Sequence, residues 1–507
     1  IETGKLQWVF HTIPHPGEFG YNTWPKDAYK NTNIGGANNW AGMAIDRKRG
    51  ILYIPVGSAA FDYYGGNRKG ANLFANCLLA LDAKTGERKW HYQMVHHDIL
   101  DRDPPAPPNL VTVTMQGKKI DAVVQTTKQG LIFVFDRETG IPLFPIEEKK
   151  VPASDVPGEQ AWPTQPFPVK PAPYARQSLT LADISPFATN KQQLISIFKK
   201  NKVKGPFTPI SQTGSIVFPG LDGGAEWGGA AADPGGILYV NSNEMAWLLS
   251  VGPTNAVVKK TVNTTAGQQV YSANCSSCHG PKGKGNTASG FPSLVNIGNR
   301  RSKEYIQNII SNGKGMMPAF PGISAAKKQA LVSFLIRKEE KGGAINVKNT
   351  KVKEPGLKAD KNAPYVAYQI TGFTKFLDKE GLPAIKPPWG TLNAIDLNTG
   401  EYVWKIPFGE YPELTAKGIL PTGSESYGGP LITASGLLFI AGTKDKKLRV
   451  YDKGTGKLIW STELPAAGFA TPCTYELNGK QYIVIACGGS KLGAPSGDSY
   501  MAFALSE

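Results

Sequence analysis

The sequence predicts an all-β fold, a β-propeller, interrupted by a small inserted all-α domain. Three observations carry this. A strand–turn–strand pattern recurs at a nearly fixed period. A second, hairpin-like motif recurs ahead of it. The run Cys275-Ser276-Ser277-Cys278-His279 then stands in a stretch of different character.

The period comes first. Four segments share Asp, then Gly four positions on, then an aromatic four further: Asp82-Gly86-Trp90, Asp136-Gly140-Phe144, Asp396-Gly400-Trp404 and Asp452-Gly456-Trp460. The first two are offset by 54 residues and the last two by 56. Apolar alternation precedes each Asp, a Thr-Gly turn follows, and a strand resumes at the aromatic. Strand–turn–strand units at such a period mark a propeller with one blade per repeat. The aromatics are expected to dock between neighbouring blades.

The second motif runs from Trp40 to Asp46 and on to Gly50-Ile51-Leu52-Tyr53, from Trp227 to Asp233 and on to Gly236-Ile237-Leu238-Tyr239, and from Tyr427 to Thr433 and on to Gly436-Leu437-Leu438-Phe439. These read as hairpins of inner strands whose ends face the central axis. Thr3-Gly4 and Trp8 fit the Thr-Gly and aromatic positions, with the expected Asp falling before Ile1. The chain therefore reads as lacking its natural start. With a degenerate blade ending near Trp247, about six blades are represented of roughly eight in the complete propeller.

Asp136 and Asp396 lie 260 positions apart, more than the repeat needs. Two insertions are assigned to the excess: a Pro-rich excursion at 145–212 over one face, and a separate domain between two blades. The predicted organisation is propeller over 1–260, inserted domain over 261–342, linker over 343–362 and final blades over 363–507.

Composition excludes some classes. The formal net charge is +16, but the basic residues are dispersed and no nucleic-acid motif accompanies them, so no nucleic-acid partner is expected. No stretch approaches about 18 consecutive apolar residues, so no membrane span is predicted. The opening Ile1-Glu2-Thr3-Gly4 is not a basic-then-apolar leader. Of five Cys, Cys473 and Cys487 flank a hairpin turning at Asn478-Gly479. In a two-residue-turn register Cys473 faces Val484 and not Cys487, so Cys77, Cys473 and Cys487 read as buried thiols.

The inserted domain reads as a cytochrome c. Cys275 and Cys278 are placed to add their thiols to the two haem vinyl groups, and His279 to bind iron. A zinc site or chance are the competing readings of a lone C-x-x-C-H. The loop Gly315-Met316-Met317-Pro318 supplies a second axial ligand, Met317 first and Met316 as fallback, in the ligand-Pro arrangement of small class I cytochromes c. A helix over 266–275 leads in and a helix over 325–337 closes the domain. His/Met ligation leaves no open iron position, so the haem carries electrons. From Thr261 to Lys341 stand 11 Lys/Arg against 3 Asp/Glu. A basic face around a haem would guide an acidic electron-transfer partner.

Four runs stand out in the propeller segments: the one from Trp90 through His96-His97-Asp98-Ile99-Leu100-Asp101-Arg102-Asp103, then Thr127-Lys128-Gln129-Gly130, Pro163-Thr164-Gln165-Pro166-Phe167 and Val217-Phe218-Pro219-Gly220. By these runs the propeller segments resemble the pyrroloquinoline quinone (PQQ)-dependent dehydrogenases, most closely the membrane-bound quinoprotein glucose dehydrogenases and their quinate dehydrogenase relatives. Glu226-Trp227-Gly228-Gly229, Thr471-Pro472 and Asn478-Gly479-Lys480-Gln481-Tyr482 add to the resemblance.

The resemblance implies that Asp101 is the catalytic base and that Lys128 hydrogen-bonds the ortho-quinone oxygens. It implies that Trp40 stacks on the flat cofactor and that Asn243, with Asn241 as alternative, contacts its edge. Asp445, at a matching strand end two blades on, is a weaker pocket candidate. The bland readings are a turn carboxylate for Asp101, a strand-end lysine for Lys128 and a repeat-symmetric structural indole for Trp40. The family's usual Trp before the catalytic Asp is Leu100 here, and Ala60 stands where some relatives place an Asn metal ligand, with Asp62 a substitute. Ca2+ is expected, with Asp103 as an added carboxylate and most ligands outside this chain.

The resulting expectation is a periplasmic dehydrogenase of an aldose or other alcohol. It would pass electrons through its own haem to a soluble cytochrome, a membrane quinone or an oxidase. Quinate or simple alcohols are the alternative substrates. A non-enzymatic propeller scaffold carrying a cytochrome, and a nitrite-reductase-like protein with a second haem, are the rival readings.

Overall fold

The computed structural model describes residues 3–254, 265–280, 282–285, 291–314, 317, 319, 320, 323–337 and 366–505. Two compact units divide the chain. Ile1–Ser250 and Lys375–Glu507 make the larger, and Val251–Thr374 the smaller.

The larger unit is a propeller of antiparallel sheets. Blade one comprises Ala44–Asp46, Ile51–Pro55, Cys77–Asp82 and Arg88–Gln93, and blade two Asn109–Met115, Lys118–Thr126 and Ile132–Asp136. Blade three comprises Ala230–Ala232, Ile237–Asn243, Gly390–Asp396 and Glu401–Pro407. Blade four comprises Leu431–Ile432, Leu437–Ile440, Lys447–Asp452 and Leu458–Glu463, and blade five Cys473–Leu477, Lys480–Gly489 and Ser496–Phe503. The first strands of blades one to four touch in succession.

The repeat has a local cause. Asp82 Oδ1 accepts from the backbone N–H groups of Lys84 and Thr85, and Asp136 and Asp452 hold their turns in the same way. Such Asx contacts replace backbone partners that the turn leaves unpaired. The Gly that follows has φ of +75° at Gly86 and +73° at Gly140, a region that strongly favours glycine. It also admits the aromatic of the preceding blade. A Cβ at Gly86 would lie 2.5 Å from the Trp8 ring, at Gly140 2.5 Å from Trp90, at Gly400 3.0 Å from Phe144 and at Gly456 2.8 Å from Trp404. Each of these indoles donates to the carbonyl just after the Asp: Trp8 to Ala83, Trp90 to Arg137 and Trp404 to Lys453. A register shift also recurs two residues before the Asp in blades one, three and four.

Three expectations are corrected. The inserted domain does not separate two blades. Ile237–Asn243 and Gly390–Asp396 are paired neighbours within blade three, Ile237 opposite Asp396 and Asn243 opposite Gly390. Nor does a degenerate blade end at Trp247. The strand Trp247–Pro253 leaves blade three, and Val217 lies opposite Trp247. Cys473 pairs with Val484 as the register predicts, but its thiol is exposed, because Cys473–Leu477 is exposed along its length.

The Pro-rich excursion is structured. Ile146–Lys150 pairs with Thr164–Pro168, and a helix follows at Lys191–Lys200. In the smaller unit, helices Ala266–Asn274, Ser276–His279, Lys303–Asn312 and Ala325–Arg337 are described. They surround a core that includes Val270, Tyr271, Ile306, Ile310, Leu331 and Leu335. The side chains of Thr265 and Ser302 cap two of them. Gly267 lets the first and last cross closely, since a Cβ there would meet the Ala330 carbonyl at 2.1 Å. Among the described residues no helix is long and apolar enough to cross a membrane.

Candidate active site and haem site

Lys128 stands two residues beyond the end of the central strand of blade two, in the turn that follows it. A turn closes at Gly130, whose N–H reaches the Thr127 carbonyl, and the Tyr174 hydroxyl brackets Thr127 by contacting both its N–H and its carbonyl. Lys128 Nζ lies 2.9 Å from Asp101 Oδ2 and 2.8 Å from Asp103 Oδ2. Asp103 also accepts from the Ser58 N–H. The side chains of Lys128 and Asp103 are 9% and 7% exposed, against 23% for Asp101, so Asp101 is the most open member of the trio.

The loop carrying Asp101 is fixed from both sides. Asp98 accepts from the N–H groups of Leu100 and Arg102, the Asn76 amide and the Ser58 hydroxyl. Arg102, wholly buried, donates to the carbonyls of Pro206, Pro219 and Gly220. Asp101 itself takes a left-handed φ of +55°, which Asp and Asn tolerate better than most residues.

Burial pushes Asp101 well above the usual carboxylate range, with Lys128 opposing and Asp103 adding. Burial would raise Asp103 too, but Lys128, the Asp101 carboxyl and the Ser58 N–H outweigh it and hold Asp103 below that range. Burial would lower Lys128, but the two aspartates hold it above its ordinary value. The pair of carboxyls is therefore split into one that stays ionised and one poised to carry a proton. Asp62 is pushed up to about 6 by burial, with Asp103 and Asp98 adding.

Trp40 is 45% exposed, and Lys128 Nζ lies 5.9 Å from its ring centre. Asn243 is buried at the end of its strand. Its Oδ1 accepts from the Ser426 N–H at 2.8 Å, while its Nδ2 has no partner. Asn241 spends its Nδ2 on the Ser426 hydroxyl. Gly224 ties the two sides together: its N–H donates to the Lys128 carbonyl and its carbonyl accepts from the Asn243 N–H. The structure therefore gathers Asp101, Lys128 and Trp40, and joins Asn243 to Lys128 through Gly224.

Asp445 does not join them. Its carboxylate is neutralised by Arg449 at 2.6 Å and accepts from Thr443 and the Glu410 N–H. Symmetry of position placed it among the candidates, and the arginine four residues on gives it a structural role instead.

A second polar group was missed. Lys375 Nζ lies 2.6 Å from Glu425 and 3.8 Å from Asp222, whose carboxylate accepts from the Tyr427 hydroxyl. Glu226 is pushed up to about 8 by burial and Asp222, against the pull of Lys128 and Lys491. Their available signal was the repeat, since Glu226 and Glu425 immediately precede or nearly precede the motif positions Trp227 and Tyr427.

In the smaller unit His279 Nδ1 hydrogen-bonds the Pro292 carbonyl at 2.8 Å, which leaves Nε2 for a metal. Burial lowers the basicity of this ring against that contact, favouring the neutral form a ligand needs. Cys275 is buried in the helical core, and Met317 packs partly buried against the same cluster. The Cys278 side chain and Met316 lie outside the described residues.

The chain matches the profile of the glucose/ethanol/alcohol dehydrogenase β-propeller domain over residues 1–290 and 322–483. It matches that of cytochrome C oxidase, cbb3-type, subunit III, over 262–335. It is 33% identical to a quinoprotein glucose dehydrogenase of Escherichia coli (strain K12), over 100% of this chain and 53% of that protein. It is 31% identical to a quinate/shikimate dehydrogenase (quinone) of Acinetobacter baylyi, over 100% and 52%. A glycerol dehydrogenase large subunit of Gluconobacter oxydans is 29% identical, over 99% and 58%. The chain thus spans about half the length of the curated relatives it matches. Among solved structures, a europium-containing methanol dehydrogenase aligns with a TM-score of 0.52 at 18% identity, covering 94% of this chain and 55% of that one. A quinohaemoprotein alcohol dehydrogenase from Pseudomonas putida aligns at 0.51 and 19%, covering 95% and 50%. These two likenesses show the fold.

Proposed function

The chain belongs to the PQQ-dependent dehydrogenase β-propeller family and carries a cytochrome c domain, and from that premise we propose that it oxidises an alcohol carbon, of an aldose such as glucose in the first instance, and delivers the electrons to its haem. The observation that carries the reading is Lys128 held between Asp101 and Asp103 beside a half-exposed indole.

PQQ, when bound, supplies an acceptor for two electrons. The residues present fit it. Trp40 offers an open aromatic face, Lys128 a desolvated ammonium for an anionic oxygen, and Asn243 an unpartnered buried N–H2 group. Asp101 takes the proton of the substrate hydroxyl. Its burial raises its proton affinity above that of an ordinary carboxylate, which suits it to accept that proton. Asp103, kept ionised, holds Lys128 charged and in place. Haem, when bound, supplies a one-electron carrier. Cys275 and Cys278 would attach it, and His279 Nε2 and the Met317 sulfur would hold its iron.

Calcium fits less well. Among the described residues the one group of three His, Cys, Asp or Glu with donor atoms within 4.8 Å of one another is His11, His15 and Glu18. The carboxylates Asp62, Asp98, Asp101 and Asp103 do not converge in that way, and the Lys128 ammonium bonds both Asp101 and Asp103. No step is assigned to a cation.

Covalent haem attachment and PQQ chemistry support a periplasmic location. The basic excess over 261–341 supports an acidic external acceptor, a soluble cytochrome ahead of a membrane quinone or oxidase. The relatives named for glucose, quinate/shikimate and glycerol set the substrate panel. The test is to load the protein with PQQ and Ca2+, add each substrate, and follow the reduced-haem absorption bands. Glucose is expected to reduce the haem; absence of reduction with every sugar and alcohol would overturn the proposal.

A further inference from the structure

The segment ahead of blade one carries a cluster that the dehydrogenase reading does not use. His11, His15 and Glu18 place their donor atoms within 4.8 Å of one another. We propose that they form a binding site for a divalent transition-metal ion of borderline softness, with Zn2+ the best match.

The local sequence builds the site. His15-Pro16-Gly17-Glu18 is a tight turn: the Glu18 N–H donates to the His15 carbonyl at 3.0 Å, and Gly17 has φ +87°. Pro second and a positive-φ Gly third are what a type II turn demands. The turn folds Glu18 back, so that its Oε2 accepts from the His15 N–H at 2.7 Å and its Oε1 lies 2.8 Å from His11 Nδ1. The two imidazoles stack with centres 3.7 Å apart and planes 11° from parallel. Tyr29, 4.2 Å from the His15 ring centre, backs that ring. Behind the turn, Phe10 packs on Phe74, and the Thr12 carbonyl accepts from the Phe74 N–H. The cluster thus sits on an anchored segment, and both imidazoles are partly exposed, open to an entering ion.

Two imidazoles and one carboxylate are a donor set that Zn2+ accepts, with a fourth position left for water. In a tetrahedral site with bonds of about 2.1 Å the donors stand roughly 3.4 Å apart, so the cluster closes by side-chain rotations that tilt the stacked rings until both ring planes contain the ion. The imidazoles exclude a hard cation such as Mg2+ as the preferred ion. The bound ion would fasten the segment through Glu18, His15 and His11, stabilising the folded chain by mass action.

The test is calorimetric titration of ZnCl2, and separately MgCl2, into the chelator-treated holoprotein and its His11→Ala, His15→Ala and Glu18→Gln variants. One Zn2+ per chain is expected to be lost, or weakened more than about tenfold, in each His variant, with a smaller loss for Glu18→Gln and no response to Mg2+. Hydrogen exchange on the unsubstituted protein gives a readout independent of the variants: Zn2+ should slow exchange across residues 10–19. Unchanged stoichiometry and affinity in a His11→Ala/His15→Ala double variant, or exchange in that segment indifferent to Zn2+, would overturn the proposal.

Discussion

Lys128 Nζ lies 2.9 Å from Asp101 Oδ2, so the proposed base and the proposed quinone-binding cation are direct hydrogen-bond partners. An ammonium has three N–H donors, and Asp101 and Asp103 take two of them. Asp103 is the more enclosed partner and stays ionised. A ligand oxygen competing for Lys128 therefore displaces Asp101 at lower cost than Asp103, and frees Asp101 to receive a proton.

Replacing Asp101 by Asn separates binding from proton transfer. Asn tolerates the φ of +55° and keeps the side-chain shape. Turnover is expected to fall by about 10²–10⁴-fold, the usual contribution of a positioned base. PQQ binding, followed by absorbance titration, should persist. Turnover near the unsubstituted level would remove Asp101 from the base role.

Gly223 tests the placement of Lys128 without touching its charge. A Cβ at Gly223 would lie 2.6 Å from Lys128 Cγ and 2.7 Å from its Cα, at a φ of +74°. Gly223→Ala must therefore move the Lys128 backbone or its stem. The expected result is a stability loss of about 1–3 kcal/mol together with weaker PQQ binding. Denaturation and PQQ titration check the two effects, and unaltered PQQ affinity would show that Lys128 is not held through this contact.

Features encoded by neighbours in sequence were legible; those encoded by distant pairing were not. Asp82, Gly86 and Trp90 are each explained by contacts within a turn or to the next blade, so the repeat could be read from spacing. The helix 325–337 was expected as the close of the inserted domain, and the facing of Cys473 to Val484 followed from turn length. The pairing of Ile237–Asn243 with Gly390–Asp396 joins strands separated by a whole domain, which no local pattern records. The same holds for Lys375 and Glu425, which meet across 50 positions. Asp445 misled for the opposite reason: its strand-end position was legible, but not its capture by Arg449.

The blade-to-blade aromatics should differ sharply in their energetic weight. Trp90 is 7% exposed, lies over Gly140 and donates to the Arg137 carbonyl. Trp90→Ala should destabilise by about 3–5 kcal/mol, as for other buried Trp truncations. Trp460 occupies the same repeat position but is 44% exposed. Its truncation should cost about 1 kcal/mol or less. Chemical denaturation of the two variants decides, and equal losses would refute the docking argument.

Glu226 gives a pH signature whose sign is opposite to that of an ordinary surface carboxylate. Burial first, then Asp222, raises its pKa from 4.5 to about 8, with Lys128 and Lys491 opposing. Between those two pH values the folded chain holds a proton that the unfolded chain has released. Stability falls with rising pH wherever the folded state binds more protons. The contribution of Glu226 is therefore full below about pH 4.5 and is lost progressively as pH rises to about 8. Glu226→Gln keeps the side chain neutral at every pH. Thermal unfolding of the PQQ-free protein across pH 5 to 8 should show the unsubstituted chain losing ground to the Gln variant as pH rises. Parallel curves would mean that Glu226 is ionised in the folded protein throughout, paired more tightly with Lys128 or Lys491 than its burial allows.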